Sequence, residues 1–82
     1  MAILNITLQG ISADYSQEID FSLPDREIKR IALELVQSGS ISGLHIAGLP
    51  AETFAYYVVD RFETPQGGQR IYLRPKVPFG GK

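Results

Sequence analysis

The sequence contains no cysteine, which excludes disulfides, thiolate metal sites and a cysteine nucleophile. It also lacks a surplus of either charge: eight Lys and Arg stand against nine Asp and Glu, for a formal net charge of -1. Nucleic-acid modules usually carry a basic excess or stripe, so this balance argues against a nucleic-acid partner. No apolar run approaches the roughly 20 residues needed to cross a bilayer. The opening Met1-Ala2-Ile3-Leu4-Asn5 has neither the basic region nor the longer apolar stretch of a signal peptide. The expectation is a cytoplasmic protein with no membrane partner.

Sites for cofactors and metals are missing as well. His45 is the single histidine, and no cluster of further ligands or bases accompanies it. Asp14, Glu18, Asp20 and Asp25 do not follow a calcium-loop spacing and read as solvated. Gly67-Gly68 is not followed by the Lys-Ser/Thr and helix of a phosphate loop. Tyr56, Tyr57 and Tyr72 suggest base stacking, but the near-neutral charge of the chain speaks against an RNA-binding sheet. No cofactor, no metal and no catalytic residue are expected, so the chain is not read as an enzyme. Lysine is scarce: besides Lys82 there are only Lys29 and Lys76, and those two are the available acceptors if copies were joined through lysine.

What is present is a patterned chain of 82 residues, enough for one domain that buries only about 60% of its unfolded surface. Leu4, Ile6 and Leu8 alternate with Asn5, Thr7 and Gln9, the period of a half-buried strand. Gly10 to Asp14 reads as a turn or short loop. A second alternation places Tyr15, Ile19, Phe21 and Leu23 on one face, so the two runs predict an N-terminal hairpin.

The period then changes. Ile28, Ile31, Ala32 and Leu35 fall at i, i+3, i+4 and i+7, the stripe of an amphipathic helix. Asp25 or Ser22 is the expected cap, and Gly39 suits the left-handed position at the other end. Leu44-His45-Ile46 reads as a short strand and residues 54–62 as another. Pro65-Gln66-Gly67-Gly68 predicts a turn, and Arg70 to Arg74 a last strand with Ile71 and Leu73 inward. This order predicts a two-layer α+β domain, a mixed four- to five-stranded sheet with one helix packed across one face. The expected bounds are residues 1–74 for the domain and 75–82 for a C-terminal tail.

A strand hairpin, a helix of about four turns, further strands, and a tail ending Phe79-Gly80-Gly81-Lys82: this order resembles ubiquitin and its relatives, the β-grasp fold. Leu44-His45-Ile46-Ala47-Gly48 is similar to the segment after ubiquitin's helix, and Ile71-Tyr72-Leu73-Arg74 to the strand before its tail. Phe79 stands where ubiquitin has a basic residue, Pro75 and Pro78 stiffen the tail, and residues 49–69 depart from ubiquitin, with strand expected in place of its second short helix. These departures resemble the divergent bacterial ubiquitin-like modifiers encoded with E1-type activating, E2-type conjugating and JAB-type peptidase enzymes, some of which act in defence against phage.

The resemblance implies a modifier joined to target proteins through Gly81, after Gly80, with Lys82 removed by processing. Phe79, Lys76 and Arg74 would be read by the partner enzymes. His45, placed by the expected short strand on the open sheet face, would be a partner contact. Two other members of the fold remain open at this stage. One is a sulfur carrier with a terminal thiocarboxylate; the other is a non-covalent adaptor of a bacterial secretion system, which generally lacks the glycine tail.

Overall fold

The computed structural model describes residues 1–76. The first strand, β1 (Ala2–Leu8), follows the alternation: Ala2, Leu4, Ile6 and Leu8 are buried while the residues between them are half-buried. It turns at Gln9 and Gly10, both at positive φ (52° and 80°). Two such residues form the tight turn whose twist matches that of the strands it joins. The next strand, β2 (Ile11–Ile19), therefore begins at once. Residues 11–14, expected as loop, are strand, paired to β1 from Leu8↔Ile11 to Asn5↔Asp14. The polar side chains of Ser12 and Asp14 hid the strand, because they face the open side and bond to Asn5 and Thr7 of β1.

Between the pairs Ile3↔Glu18 and Asn5↔Asp14, three residues of β2 stand against the single Leu4 of β1. Ala13, Tyr15 and Ile19, which share one face by alternation, all pack against the core. Phe21 and Leu23 also pack there, but from the turn that follows the strand.

The helix, α1 (Asp25–Ser38), begins without a side-chain cap. Pro24 is extended, and its carbonyl accepts the amides of Glu27 (2.9 Å) and Ile28 (3.1 Å). Asp25 and Ser22 are not caps: Asp25 pairs with Arg61, and the Ser22 hydroxyl donates to Asp20. At the other end Gly39 is left-handed (φ 76°), with the Ser40 amide on the Leu35 carbonyl and the Gly39 amide on that of Val36. This is the paired closure that glycine makes without a Cβ penalty.

The buried stripe is Ile28, Ala32 and Val36. The expected stripe is thus turned: Leu35 is half-buried at its flank and Ile31 lies further round. At about 100° per residue, the face centred on Ala32 leaves Ile31 well to one side.

Four strands, in the order β2-β1-β4-β3, form the sheet. The remaining two are β3 (Val58–Glu63) and β4 (Gln69–Arg74). They form the expected hairpin through residues 64–68, closed by Thr64 amide to Gly68 carbonyl at 2.7 Å, with Gly67 at φ 87°. β4 runs parallel to β1, with Leu4↔Ile71 and Ile6↔Leu73 in register. Ile71 and Leu73 are fully buried, as their alternation predicts, in one cluster with the apolar faces of β1 and α1. The described residues thus form an α+β domain of one helix on a four-stranded mixed sheet.

No fifth strand forms at residues 44–46. Gly43 is left-handed (φ 84°), the Leu44 amide bonds the Ile41 carbonyl (3.1 Å), and the Ile46 amide bonds Val36 at the end of α1 (3.2 Å). Those two amides are thus directed at the preceding turn and the helix and not at a sheet neighbour. The segment anchors itself through Ile41, Leu44 and Leu49, all buried. Phe54, expected at the start of a strand, is instead buried from a run of turns. Their bonds are Thr53 amide to Pro50, Ala55 to Glu52 and Tyr57 to Phe54. The strand expected in place of a second short helix is therefore absent before Val58.

Candidate functional site

α1 covers one face of the sheet, and the other carries a connected polar and aromatic array. Alternation puts Ile3, Asn5 and Thr7 of β1 on that face. In register with them are Ser12 and Asp14 of β2 and Arg70 and Tyr72 of β4, with Asp60 and Phe62 of β3 beyond. Arg70 bridges β4 to β2 across the intervening β1: its Nη2 reaches both carboxylate oxygens of Asp14 (3.1 and 3.2 Å), and its Nε donates to the Tyr72 hydroxyl on its own strand (2.9 Å).

The Asn5 amide donates to Asp14 at 2.8 Å and accepts from the Ser12 hydroxyl at 2.9 Å. The Asn5 amide is the main cause that holds the Asp14 carboxyl below its ordinary range; burial opposes it, and Arg70 adds to the lowering. Asp14, read from sequence as solvated, is exposed and is also paired with Asn5 and Arg70. On the outer half of the face, Phe62 packs edge-on against Tyr72 at 5.6 Å and remains 54% exposed.

Of the residues expected to be read by partner enzymes, Arg74 and Lys76 lie within the described chain. Arg74 ends β4, which is a central strand flanked by β1 and β3. Because β4 is parallel to β1, it finishes at the end of the sheet where β1 turns at Gln9-Gly10. The Arg74 guanidinium donates through Nε to Asp60 Oδ2 at 2.6 Å. The chain thus leaves the sheet from a fixed root, and Lys76 follows as an exposed side chain. Phe79, Gly80, Gly81 and Lys82 lie outside the described residues.

His45 does not join this face. Its Nε2 lies 3.2 Å from the Gln37 carbonyl, and its ring stands where a Cβ on Gly39 would approach to 3.3 Å. It belongs to the closing turn of α1, because the strand that would have aimed it at the open face does not form.

The three tyrosines do not share a platform either. Tyr57 packs edge-on to Phe54 at 4.8 Å on the core side, where burial raises its pKa, whereas Tyr56 is 87% exposed.

Sequence reading missed Asp60 and Arg61. Asp60 could have been found from its place in the β3 alternation, opposite Tyr72 once the hairpin is drawn. Arg61 is a cation at an inward position of β3, and that break in the apolar pattern is its signal.

Among the described residues no group of three or more His, Asp or Glu side chains could hold a metal. No helix there is long and apolar enough to cross a membrane. Comparison of the chain with protein families, curated proteins and solved structures found no match.

Proposed function

We propose that this chain is a ubiquitin-like protein modifier of the β-grasp fold, activated at Gly81 and joined to target proteins. The observation that carries the reading is the position of the tail root. A central strand parallel to β1 ends at Arg74, and the sequence continues through Pro75 and Pro78 to Phe79-Gly80-Gly81-Lys82. A tail rooted mid-sheet can be delivered to another protein without dismantling an edge.

The chemistry follows from the residues. A JAB-type peptidase hydrolyses the Gly81–Lys82 bond and frees the Gly81 carboxylate. In an E1-type enzyme that carboxylate attacks the α-phosphorus of ATP, displacing pyrophosphate and forming an acyl adenylate. An enzyme thiolate then displaces AMP to give a thioester, which passes to an E2-type cysteine and finally to a nucleophile on the target. Glycines without Cβ allow close approach in a narrow channel. Pro75 and Pro78 favour extended geometry and lower the cost of ordering the tail. Lys76 and Phe79 offer a cation and an apolar anchor for recognition. This part of the pathway requires no catalytic group from the chain itself, and defence against phage is a setting in which bacterial relatives of such a modifier act.

The test is mass spectrometry of the tagged chain recovered from its native cells. A form ending at Gly81 and linked to other proteins is the expected result. A Gly81 terminus carrying only an added sulfur would identify a sulfur carrier instead. An intact Lys82 with no adduct, while the pathway is active, would point to a non-covalent adaptor.

A further inference from the structure

Where the chain leaves the sheet, the side chain of Arg74 turns back onto it. Arg74 stands opposite Val58 of β3, and Asp60 stands opposite Tyr72. Asp60 and Arg74 are therefore diagonal neighbours on the open face, a spacing that a long side chain can span. Arg74 Nε donates to Asp60 Oδ2 at 2.6 Å, and Nη2 lies against the same oxygen. Among the described residues neither side chain has a second ion-pair partner. Arg70, the other cation of β4 on this face, is itself committed to Asp14.

The pair forms at the point where the chain would otherwise be free to swing. Arg74 is the last residue of β4, and a chain end is poorly ordered unless something ties it down. Pro75 follows; its ring fixes its own φ and holds the preceding residue to extended geometry. Pro75 thus restrains the backbone of Arg74, and Asp60 restrains its side chain. With side chains 47% and 29% exposed, the pair adds little to global stability, so its consequence is local. Lys76, two residues beyond Arg74, is exposed and has no ion pair among the described residues.

We propose that Asp60 is a positioning residue for the tail. It holds the Arg74 guanidinium as a clamp on the tail root, so Arg74 acts within the chain and Lys76 is the cation presented to a tail-reading enzyme. A clamped root enters a partner's channel with less freedom left to lose. The consequence for conjugation rests on the modifier reading above, whereas the clamp itself does not.

The full chain, labelled with nitrogen-15, reports the clamp through the relaxation of the Lys76 amide. Asp60→Asn should make that amide more mobile while the far-ultraviolet circular dichroism is unchanged. The charge exchange Asp60→Arg with Arg74→Asp should restore its order. In native cells, Asp60→Asn and Arg74→Ala should each lower the yield of conjugates by about threefold, within the range an exposed pair allows. The two losses should not add, because both variants remove the same contact. Lys76→Glu, which reverses the presented charge, should lower the yield by about tenfold.

Three results would overturn the proposal. One is an unchanged Lys76 amide in Asp60→Asn, and another is no loss of conjugates in either single variant. The third is a loss several times greater in Arg74→Ala than in Asp60→Asn, which would mean that the partner reads Arg74 directly. Absence of any conjugate from the unaltered chain would sink the modifier reading alone, because the relaxation of Lys76 still decides for or against Asp60.

Discussion

Arg61 of β3 reaches the first turn of α1, where its Nη2 donates to Asp25 Oδ1 at 2.6 Å and its Nη1 to the Phe21 carbonyl at 2.7 Å. One side chain on the covered face of the sheet thus fixes the entry to the helix. The carboxylate beside the helix N-terminus is also favourably placed toward the helix dipole. This contact stands where a side-chain cap is lacking, since Pro24 precedes the helix with only its backbone.

Arg61→Ala should therefore destabilise by about 1.5–3 kcal/mol, the range for hydrogen bonds to charged groups. Asp25→Asn should cost less than about 1 kcal/mol, because that carboxylate is 63% exposed and its attraction is screened. Urea midpoints measure both, and equal losses would mean that the bond to Phe21 contributes nothing.

The rotation of the buried stripe can be tested by truncation. Ile28→Ala should cost about 2–5 kcal/mol, since Ile28 is fully buried. Leu35→Ala should fall below that range, because Leu35 is half-buried at the flank. The reverse order in denaturant titrations would restore the stripe expected from sequence alone.

Asp14 provides a pH handle on the open face. Its carboxyl is held below the ordinary 3.8, first by the Asn5 amide and then by Arg70. A lowered folded-state value means that the ionised form stabilises the fold. That contribution is complete above the unfolded value and is lost as pH falls through the lower, folded one. Asn5→Ala should move the Asp14 titration upward, toward 3.8, when followed by carbon-13 NMR. An unmoved titration would assign the effect to Arg70.

Gly39→Ala tests the closing turn. The position is left-handed (φ 76°), and an added Cβ meets the His45 ring at 3.3 Å. A loss of about 1–2 kcal/mol is expected from the backbone conformation alone. His45→Ala in the same chain should recover only the part due to crowding. Full recovery in thermal melts would show that the conformation itself costs little.

Gly81→Ala should abolish conjugation in cells and leave the melting temperature unchanged if residues 75–82 serve as a tail outside the domain of residues 1–74. A melting temperature several degrees lower would mean that the tail supports the fold.

Sequence alone determined those elements whose side chains repeat with a clear period or whose backbone demands a special residue. The alternation of Leu4, Ile6 and Leu8 set the face of β1. Ile28 and Ala32 placed the helix, Gly39 ended it, and Gly67 turned the last hairpin. In each case the information is local, because one residue's neighbours within a turn or a strand decide its environment.

Only the tertiary structure decided the rest. Residues 11–14 become strand because β1 supplies a polar ladder for them. Leu44-His45-Ile46 stays out of the sheet because the end of α1 takes the Ile46 amide, and His45 moves with it. Asp14 and Arg70 are 56 residues apart, and Asp25 and Arg61 are 36 apart. Pairings at such separations depend on strand order and register, which bring side chains together only after the chain has folded.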